Sequence, residues 1–194
     1  PYDGCVDVWA AACCLAELYT GKVLFPGATN NGMLKLFCEL CGAFPKRVLR
    51  RAALCHEHFD ANYRFVWRDV VDATTTPPKV VLRTLIYPSA STAAELARAP
   101  PQPSSHNSTP LPSAAGSSST TSTGGVTVAP GVGYFVPRSM KSVLCPTAGS
   151  EPATEADRAL LEKLRDLLVK CLCLDNTRRL TATAALAHPF CSAR

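Results

Sequence analysis

The sequence predicts a mainly α-helical fold interrupted by a disordered insert, and three observations predict it. Two segments, Val8 to Leu18 and Leu160 to Leu172, repeat apolar residues at spacings of three and four, the period of a packed helix. No convincing alternating run longer than four residues reads as a strand. Between the two helical parts, residues 99–137 contain no Asp, Glu, Lys or Arg, and 20 of the 26 residues from Pro100 to Gly125 are Pro, Ser, Thr or Gly. Such a stretch cannot bury enough apolar surface to offset the chain entropy lost on folding. Composition therefore divides the chain into a folded part over 1–98, an insert over 99–150 and a second folded part over 151–194, leaving 142 of 194 residues able to pack. Deletion of 100–137 is expected to change stability hardly at all.

The elements follow in order. Asp7 serves as N-cap or first-turn anion of the first helix, and Val8, Ala11, Ala12, Leu15 and Leu18 follow at helical spacing. Nearly every position from Val8 to Leu18 is apolar or small, Glu17 excepted, and a helix apolar all round reads as buried. Gly21 stops it, and Leu24-Phe25-Pro26-Gly27 makes an apolar turn. Asn30 or Asn31 can cap a second helix carrying Met33, Leu34, Leu36, Phe37 and Leu40, closed by Gly42 and Pro45. The stretch Phe59 to Ile86 is less periodic and breaks at Thr76-Pro77-Pro78. Near the end, Glu155 to Cys173 puts Leu160, Leu161, Leu164, Leu167, Leu168, Cys171 and Leu172 on one helix, ended by Asp175-Asn176. Thr181 caps a short final helix, Ala182 to Ala187, stopped by His188-Pro189.

Composition excludes several classes. Twenty basic against 15 acidic residues give +5, too mild for a nucleic-acid binder without a clustered patch. The longest apolar run, Val8 to Ala16, is nine residues, less than half of a membrane span, and no signal peptide opens the chain. The ten cysteines are scattered or sit inside helical patterns, and read as reduced thiols rather than a disulfide framework. Pro1 at the start, with Met33 and Met140 as the only methionines, suggests a piece of something longer.

Several short motifs occur in one order. Asp7-Val8-Trp9, then Glu17-Leu18-Tyr19-Thr20-Gly21, then Leu24-Phe25-Pro26-Gly27 resemble the C-terminal lobe of eukaryotic protein kinases. Leu-Phe-Pro-Gly points to the group containing cyclin-dependent, mitogen-activated and dual-specificity tyrosine-regulated kinases. Thr29-Asn30-Asn31-x-Met33-Leu34-Lys35-Leu36 and His58-Phe59-Asp60 are most similar to the pre-mRNA-processing, spliceosomal kinases near the dual-specificity branch. Leu174-Asp175-x-x-x-Arg179-Leu180-Thr181 and His188-Pro189-Phe190 resemble the family's closing motif. The resemblance covers residues 1–98 and 151–194 and implies part of the helical lobe of the kinase fold. It implies a parent that transfers the γ-phosphoryl of ATP, with Mg²⁺, to Ser or Thr of proteins, splicing factors among them, in the nucleus.

The resemblance assigns structural roles to three residues. Asp7 would accept backbone N–H bonds from a catalytic loop, as a buried carboxylate must be hydrogen-bonded. Trp9 would pack beside it. Arg179 matches the lobe's internal arginine, whose partner is the Glu of an Ala-Pro-Glu motif that this chain does not hold. Ala10 and Ala12 stand where the family has Ser and Gly, and Asn176 where Pro is usual, which bears on how a catalytic loop packs against Ala12.

Phosphoryl transfer needs a phosphate-covering loop, a lysine on the phosphates, metal-holding carboxylates and a base. The sequence offers only imitations, so no catalytic, cofactor or metal residue is assigned, and ATP and Mg²⁺ are implied for the whole family member alone. Gly131-x-Gly133-Tyr134-Phe135-Val136 lacks the third glycine and reads as a turn leaving the insert. Trp67-Arg68-Asp69 imitates His-Arg-Asp, but Thr74 occupies the position of the metal-binding Asn. Cys38-x-x-Cys41 with Cys55-His56-x-His58 has loose zinc spacing, and ordinary thiols are the preferred reading. Lys46, Arg47, Arg50 and Arg51 form a solvated basic face or a partner-docking site. Thr76, Thr109, Ser139 and Ser142 are phosphorylation candidates, and Asn107-Ser108-Thr109 matches a glycosylation sequon. Two functions remain: the C-terminal part of a Ser/Thr kinase whose ATP-binding lobe and catalytic segment complete it in cis, or a non-catalytic interaction module. No membrane partner is expected. On the kinase reading, the first helix should be exposed where a catalytic loop and activation segment would cover it.

Overall fold

A computed structural model describes residues 4–72, 79–90, 131–146, 152 and 154–192. The chain divides into two compact units, residues 1–48 with 137–194 and residues 49–136.

The first unit is helical. Helix α1, Cys5–Thr20, starts from Gly4 with Asp7 in its first turn and ends at Gly21, whose φ of 68° only glycine adopts cheaply. Its 2.7 Å N–H bond to the Glu17 carbonyl closes the helix. Helix α2, Asn30–Cys41, is capped by Thr29, whose hydroxyl accepts the Gly32 N–H at 3.0 Å, so Asn30 and Asn31 fall inside the helix rather than at its cap. The expected asparagine cap is thus corrected by one residue: the threonine already supplies the side-chain oxygen. The short α3, Lys46–Leu49, crosses the boundary between the units.

After the sheet described below, α5, Met140–Leu144, carries a reciprocal Ser139–Ser142 capping box with bonds of 3.0 and 3.2 Å. Helix α6, Glu155–Cys171, is capped by Thr154, and α7, Ala182–Leu186, by Thr181. The core of the unit joins Val8, Ala12 and Ala16 of α1, Leu24 and Phe25 of the turn, Met140 and Leu144 of α5, and Leu164, Leu167, Leu168, Cys171 and Leu172 of α6 and its end. Leu168 and Leu172 are the largest fully enclosed side chains. Each such leucine contributes about 1.5–3 kcal/mol.

Two helical expectations need correction. Helix α1 is not buried all round: Val8, Ala12 and Ala16 are buried in the core and Trp9, Cys13 and Leu15 pack partly against it, while Val6, Leu18 and Tyr19 lie exposed, Leu18 at 82%. Successive helical residues sit about 100° apart, so Asp7, next to Val8, is turned outward and exposed rather than buried. Leu160 of α6 is also exposed, because the buried face is carried by Leu164, Leu167, Leu168 and Cys171.

The expectation that no run forms a strand is overturned in the second unit. Here α4, Cys55–His58, leads into three strands: β1, Val66–Asp72, β2, Lys79–Ile86, and β3, Gly131–Tyr134. β1 pairs antiparallel with β2, from Val66 opposite Thr84 to Val70 opposite Val80, with a register shift before Asp72. β3 pairs parallel with β2, Arg83 opposite Gly131 and Ile86 opposite Tyr134. The strand signal in β2 is β-branched content, Val80, Val81, Thr84 and Ile86, rather than alternation. Burial explains why: from Val80 to Thr84 successive residues are all half-buried, so no polar face alternates with an apolar one. Among the described residues of this unit the buried side chains are Leu49, Phe65, Leu85 and Phe135, and the ring centroids of Phe65 and Phe135 are 5.8 Å apart.

His58-Phe59-Asp60 builds the turn that precedes β1. Asp60 Oδ1 accepts the N–H groups of Asn62 and Arg64 at 2.8 and 2.9 Å, Oδ2 pairs with Arg64 at 2.8 Å, and Phe59 bridges to Phe65. Burial raises the Asp60 carboxyl, but the hydrogen bonds from Arg64 and Asn62 outweigh it and hold the pKa below its ordinary value.

The insert ends earlier than composition indicated. Gly131–Tyr134 is a strand rather than a turn, Phe135 is 3% exposed, and Met140 and Leu144 belong to the helical core. Composition misses them because four strand residues and one short helix barely alter a window average. A cut through 137 would therefore remove β3 and Phe135. The insert's residues 101–130, with Thr109 and Asn107, lie outside the described residues, as do Thr74 and Thr76.

Candidate functional site

The motif residues converge in the helical unit on Trp9 and Arg179. Trp9, on α1, stacks on Phe25 of the Leu-Phe-Pro-Gly turn, with centroids 5.8 Å apart and an interplanar angle of 12°. Phe37 of α2 meets both rings edge-on, at 5.1 and 4.7 Å. The turn approaches α2 so closely that a Cβ on Gly27 would lie 2.7 Å from the Met33 nitrogen, which accounts for the glycine. The Arg179 guanidinium lies 4.9 Å over the Trp9 ring, a cation–π contact. Its Nε donates to the Cys173 carbonyl and its Nη1 to the Cys5 carbonyl, each at 2.9 Å. Arg179 thereby ties the first residue of α1 to the chain leaving α6. Among the described residues no carboxylate pairs with it.

Thiols surround this point. Burial pushes the Cys41 thiol up to about 12, reinforced by Cys13, Cys38 and Cys173 and opposed by Arg179. Burial and Cys14 push Cys13 up to about 11. These thiols stay protonated near neutrality, which disfavours them as nucleophiles or metal ligands. None of the ten cysteines forms a disulfide. Cys38 and Cys41 fall in the first unit and Cys55, His56 and His58 in the second. No group of three or more His, Cys, Asp or Glu able to hold a metal lies among the described residues.

The four residues of the basic run differ in their partners. All four residues are exposed, but Arg47 is engaged: its Nη2 pairs with Asp175 Oδ2 and donates to Thr177 Oγ1 at 2.6 Å. Asp175 Oδ1 accepts the Thr177 N–H at 3.1 Å and its hydroxyl at 2.9 Å. The hydrogen bond from Arg47 holds the Asp175 carboxyl below its ordinary range, against the effect of burial. Arg50 lies 6.0 Å from the ring of Tyr63, whose φ of 61° marks a tight turn. Lys46 and Arg51 have no such partner among the described residues.

Sequence reasoning missed the Arg47–Asp175–Thr177 clamp. The Asp-x-Thr spacing was a signal for a side-chain-closed turn, but nothing local names an arginine 128 residues away. The Cys5 carbonyl could not be found at all, since a backbone acceptor leaves no residue signature. His188 of the closing motif is buried, accepts the Phe190 N–H at its Nδ1 and meets Asp166 at 2.9 Å through Nε2.

The described imitation motifs are built into the sheet and do not fit ATP or Mg²⁺. Trp67, Arg68 and Asp69 lie in β1, with Asp69 3.4 Å from Arg83 on the neighbouring strand. Gly133 is packed on β2, where a Cβ would meet Leu85 Cδ2 at 2.7 Å, so its missing side chain makes room for a leucine rather than a phosphate. What the Trp9–Arg179 site offers is rigidity. Among the described residues no helix is long and apolar enough to cross a membrane.

A family profile described as the protein kinase domain matches residues 1–191. The chain is 46% identical over 79 residues to the serine/threonine-protein kinase prpf4B of Dictyostelium discoideum, covering 41% of this chain and 10% of that one. It is 45% identical over 69 residues to the serine/threonine-protein kinase prp4 of Schizosaccharomyces pombe, covering 36% and 14%. A human dual specificity tyrosine-phosphorylation-regulated kinase 4 is 38% identical over 61 residues, covering 31% and 12%. The matches thus span between 10% and 14% of these relatives' own length.

Proposed function

The chain belongs to the protein kinase domain family, and from that premise we propose that it is the helical foundation of a serine/threonine kinase acting on splicing factors in the nucleus. Its parent transfers the γ-phosphoryl of ATP, with Mg²⁺, to Ser or Thr, and the groups for that chemistry lie in cis outside this chain. The observation that carries this reading is the Arg179 tie. A part-buried guanidinium on two carbonyls and an indole ring is expensive to assemble unless the loops it fixes must hold one geometry. The exposed outer face of α1, the stripe Val6, Ala10, Cys14 and Leu18, supports the same reading, because it is an apolar surface awaiting cover. Asp7 lies exposed in the first turn of that helix. In the parent it accepts N–H groups of the catalytic loop and positions that loop; it does not touch the transferred phosphoryl.

The test is phosphotransfer by the endogenous protein, captured with an antibody against residues 151–194. Radiolabel from ATP should enter Ser/Arg-rich peptides at Ser or Thr and leave tyrosine peptides unlabelled. Asp7→Asn in the whole protein should lower kcat by tenfold or more with little change in KM, as expected of a positioning residue. No incorporation above a mock capture would contradict the proposal and leave the second reading, a non-catalytic interaction module. Ala10 and Ala12, which depart from the family's Ser and Gly, favour that second reading. Ala12, at 2% exposure, nonetheless fills the helical core rather than the open face.

A further inference from the structure

A groove of about 720 Å³ in the helical unit runs between the turn after α1 and helix α5. Its lining is apolar at Val23, Val143 and the ring of Tyr19, and basic at Lys22 and Arg138; among the described residues it contains no Asp or Glu. Lys22 and Arg138 are exposed, and neither forms an ion pair among the described residues. Both cations stand on fixed backbone. The Arg138 N–H donates to the Glu39 carbonyl at 2.8 Å, and the Lys22 N–H donates to Thr20 Oγ1 at 3.3 Å beside the left-handed Gly21. A neighbouring cleft of about 220 Å³ makes the contrast: it holds Lys141, Arg158 and Arg165, but Glu155 answers Arg158 at 3.5 Å and Glu162 answers Arg165 at 2.5 Å.

We propose that this groove is a docking site for an acidic peptide segment of a partner protein, in which carboxylates meet Lys22 and Arg138 and one apolar side chain packs on Tyr19, Val23 and Val143. Charge complementarity selects the occupant. The chain's own insert is excluded by composition, since residues 99–137 hold no Asp or Glu. A nucleic-acid backbone would need a longer run of cations than these two. A small inorganic anion would leave the apolar lining and most of the volume unfilled. The inference does not rest on phosphotransfer, because peptide binding here needs neither ATP nor a catalytic residue.

The experiment titrates the full 194-residue chain, followed by fluorescence polarisation, with a fluorescein-labelled peptide of aspartates and glutamates flanking one phenylalanine. The same peptide with lysines in place of the acids, and phosphatidylserine vesicles, serve as competing probes. The acidic peptide alone should bind, and more weakly as salt rises. The double variant Lys22→Glu/Arg138→Glu should weaken binding by about tenfold or more while keeping the helical circular dichroism. Lys22→Gln/Arg138→Gln, which adds no new charge, should give a smaller loss in the same direction. Lys163→Glu, an exposed change on α6 outside the groove, should leave binding unaltered. Absence of binding, equal binding of both peptides, preference for vesicles, or indifference to both double variants would each overturn the proposal.

Discussion

The helical unit and the sheet unit reach stability by different routes. In the first, residues 1–48 with 137–194, burial is spread over α1, α5 and α6, and Ala16 and Leu168 have no exposed surface. In the second, residues 49–136, it gathers on a line of rings, Phe59 to Phe65 at 5.6 Å, Phe65 to Phe135 at 5.8 Å and Tyr87 to Phe135 at 4.7 Å. That line is completed only by residues far along the sequence. A core shared among many side chains tolerates one loss; a core threaded through one ring does not. The kinase motifs fall on both sides of this divide: Trp9 and Arg179 fasten helices, and Asp60 closes the turn that starts the sheet.

The largest effect is expected at the centre of the helical core. Leu168→Ala should cost about 3–5 kcal/mol in denaturant unfolding followed by circular dichroism. Leu160→Ala, on the same helix but exposed, should cost under about 0.5 kcal/mol. Equal costs would break the distinction between the two faces of α6. Next comes Phe135→Ala, about 3 kcal/mol, which should strip hydrogen-exchange protection from β2 and β3 while α6 keeps its own. Loss of protection in α6 to the same degree would mean that the units are not separate in stability.

A smaller effect concerns acid. The folded Asp175 carboxyl titrates below its unfolded value, so the Arg47 pair stabilises the fold above about pH 4 and is lost as pH falls through the folded value. Arg47→Met should therefore flatten the decline in stability between about pH 5 and pH 2, and an unchanged decline would remove the clamp from the list of stabilising contacts. Smallest is deletion of 101–130, expected to shift stability by less than about 1 kcal/mol because loop closure depends only logarithmically on length. Extending the cut through 137 should be far more damaging, since it takes Phe135 from the sheet unit.

The helices were legible because their signal is local. Leu164, Leu167, Leu168 and Cys171 mark their own face, and Thr181 marks its own cap. The sheet was not, because β2 finds β3 across the 44 residues between Ile86 and Gly131, and a four-residue strand has no period of its own. At the candidate site Trp9 and Arg179 stand out in the sequence as motif residues, but what they do together does not. Their joint partners are two backbone carbonyls and a ring contact, which depend on how the chain returns on itself. Asp7 stands one residue of rotation from buried Val8, so in this chain its carboxylate is exposed rather than buried. Arg47 was grouped with its neighbours by charge, although its distant partner Asp175 decides its role.

The most direct measurement is the intact mass of the endogenous protein recognised by an antibody against residues 151–194. A species heavier than 20.7 kDa by at least about 20 kDa, room for a phosphate-binding lobe and catalytic segment, is the expected result, and it would place the Arg179-fastened helices inside a complete kinase. A species of 20.7 kDa and nothing larger would contradict it, leaving a helical module whose partner has to be found through its surfaces.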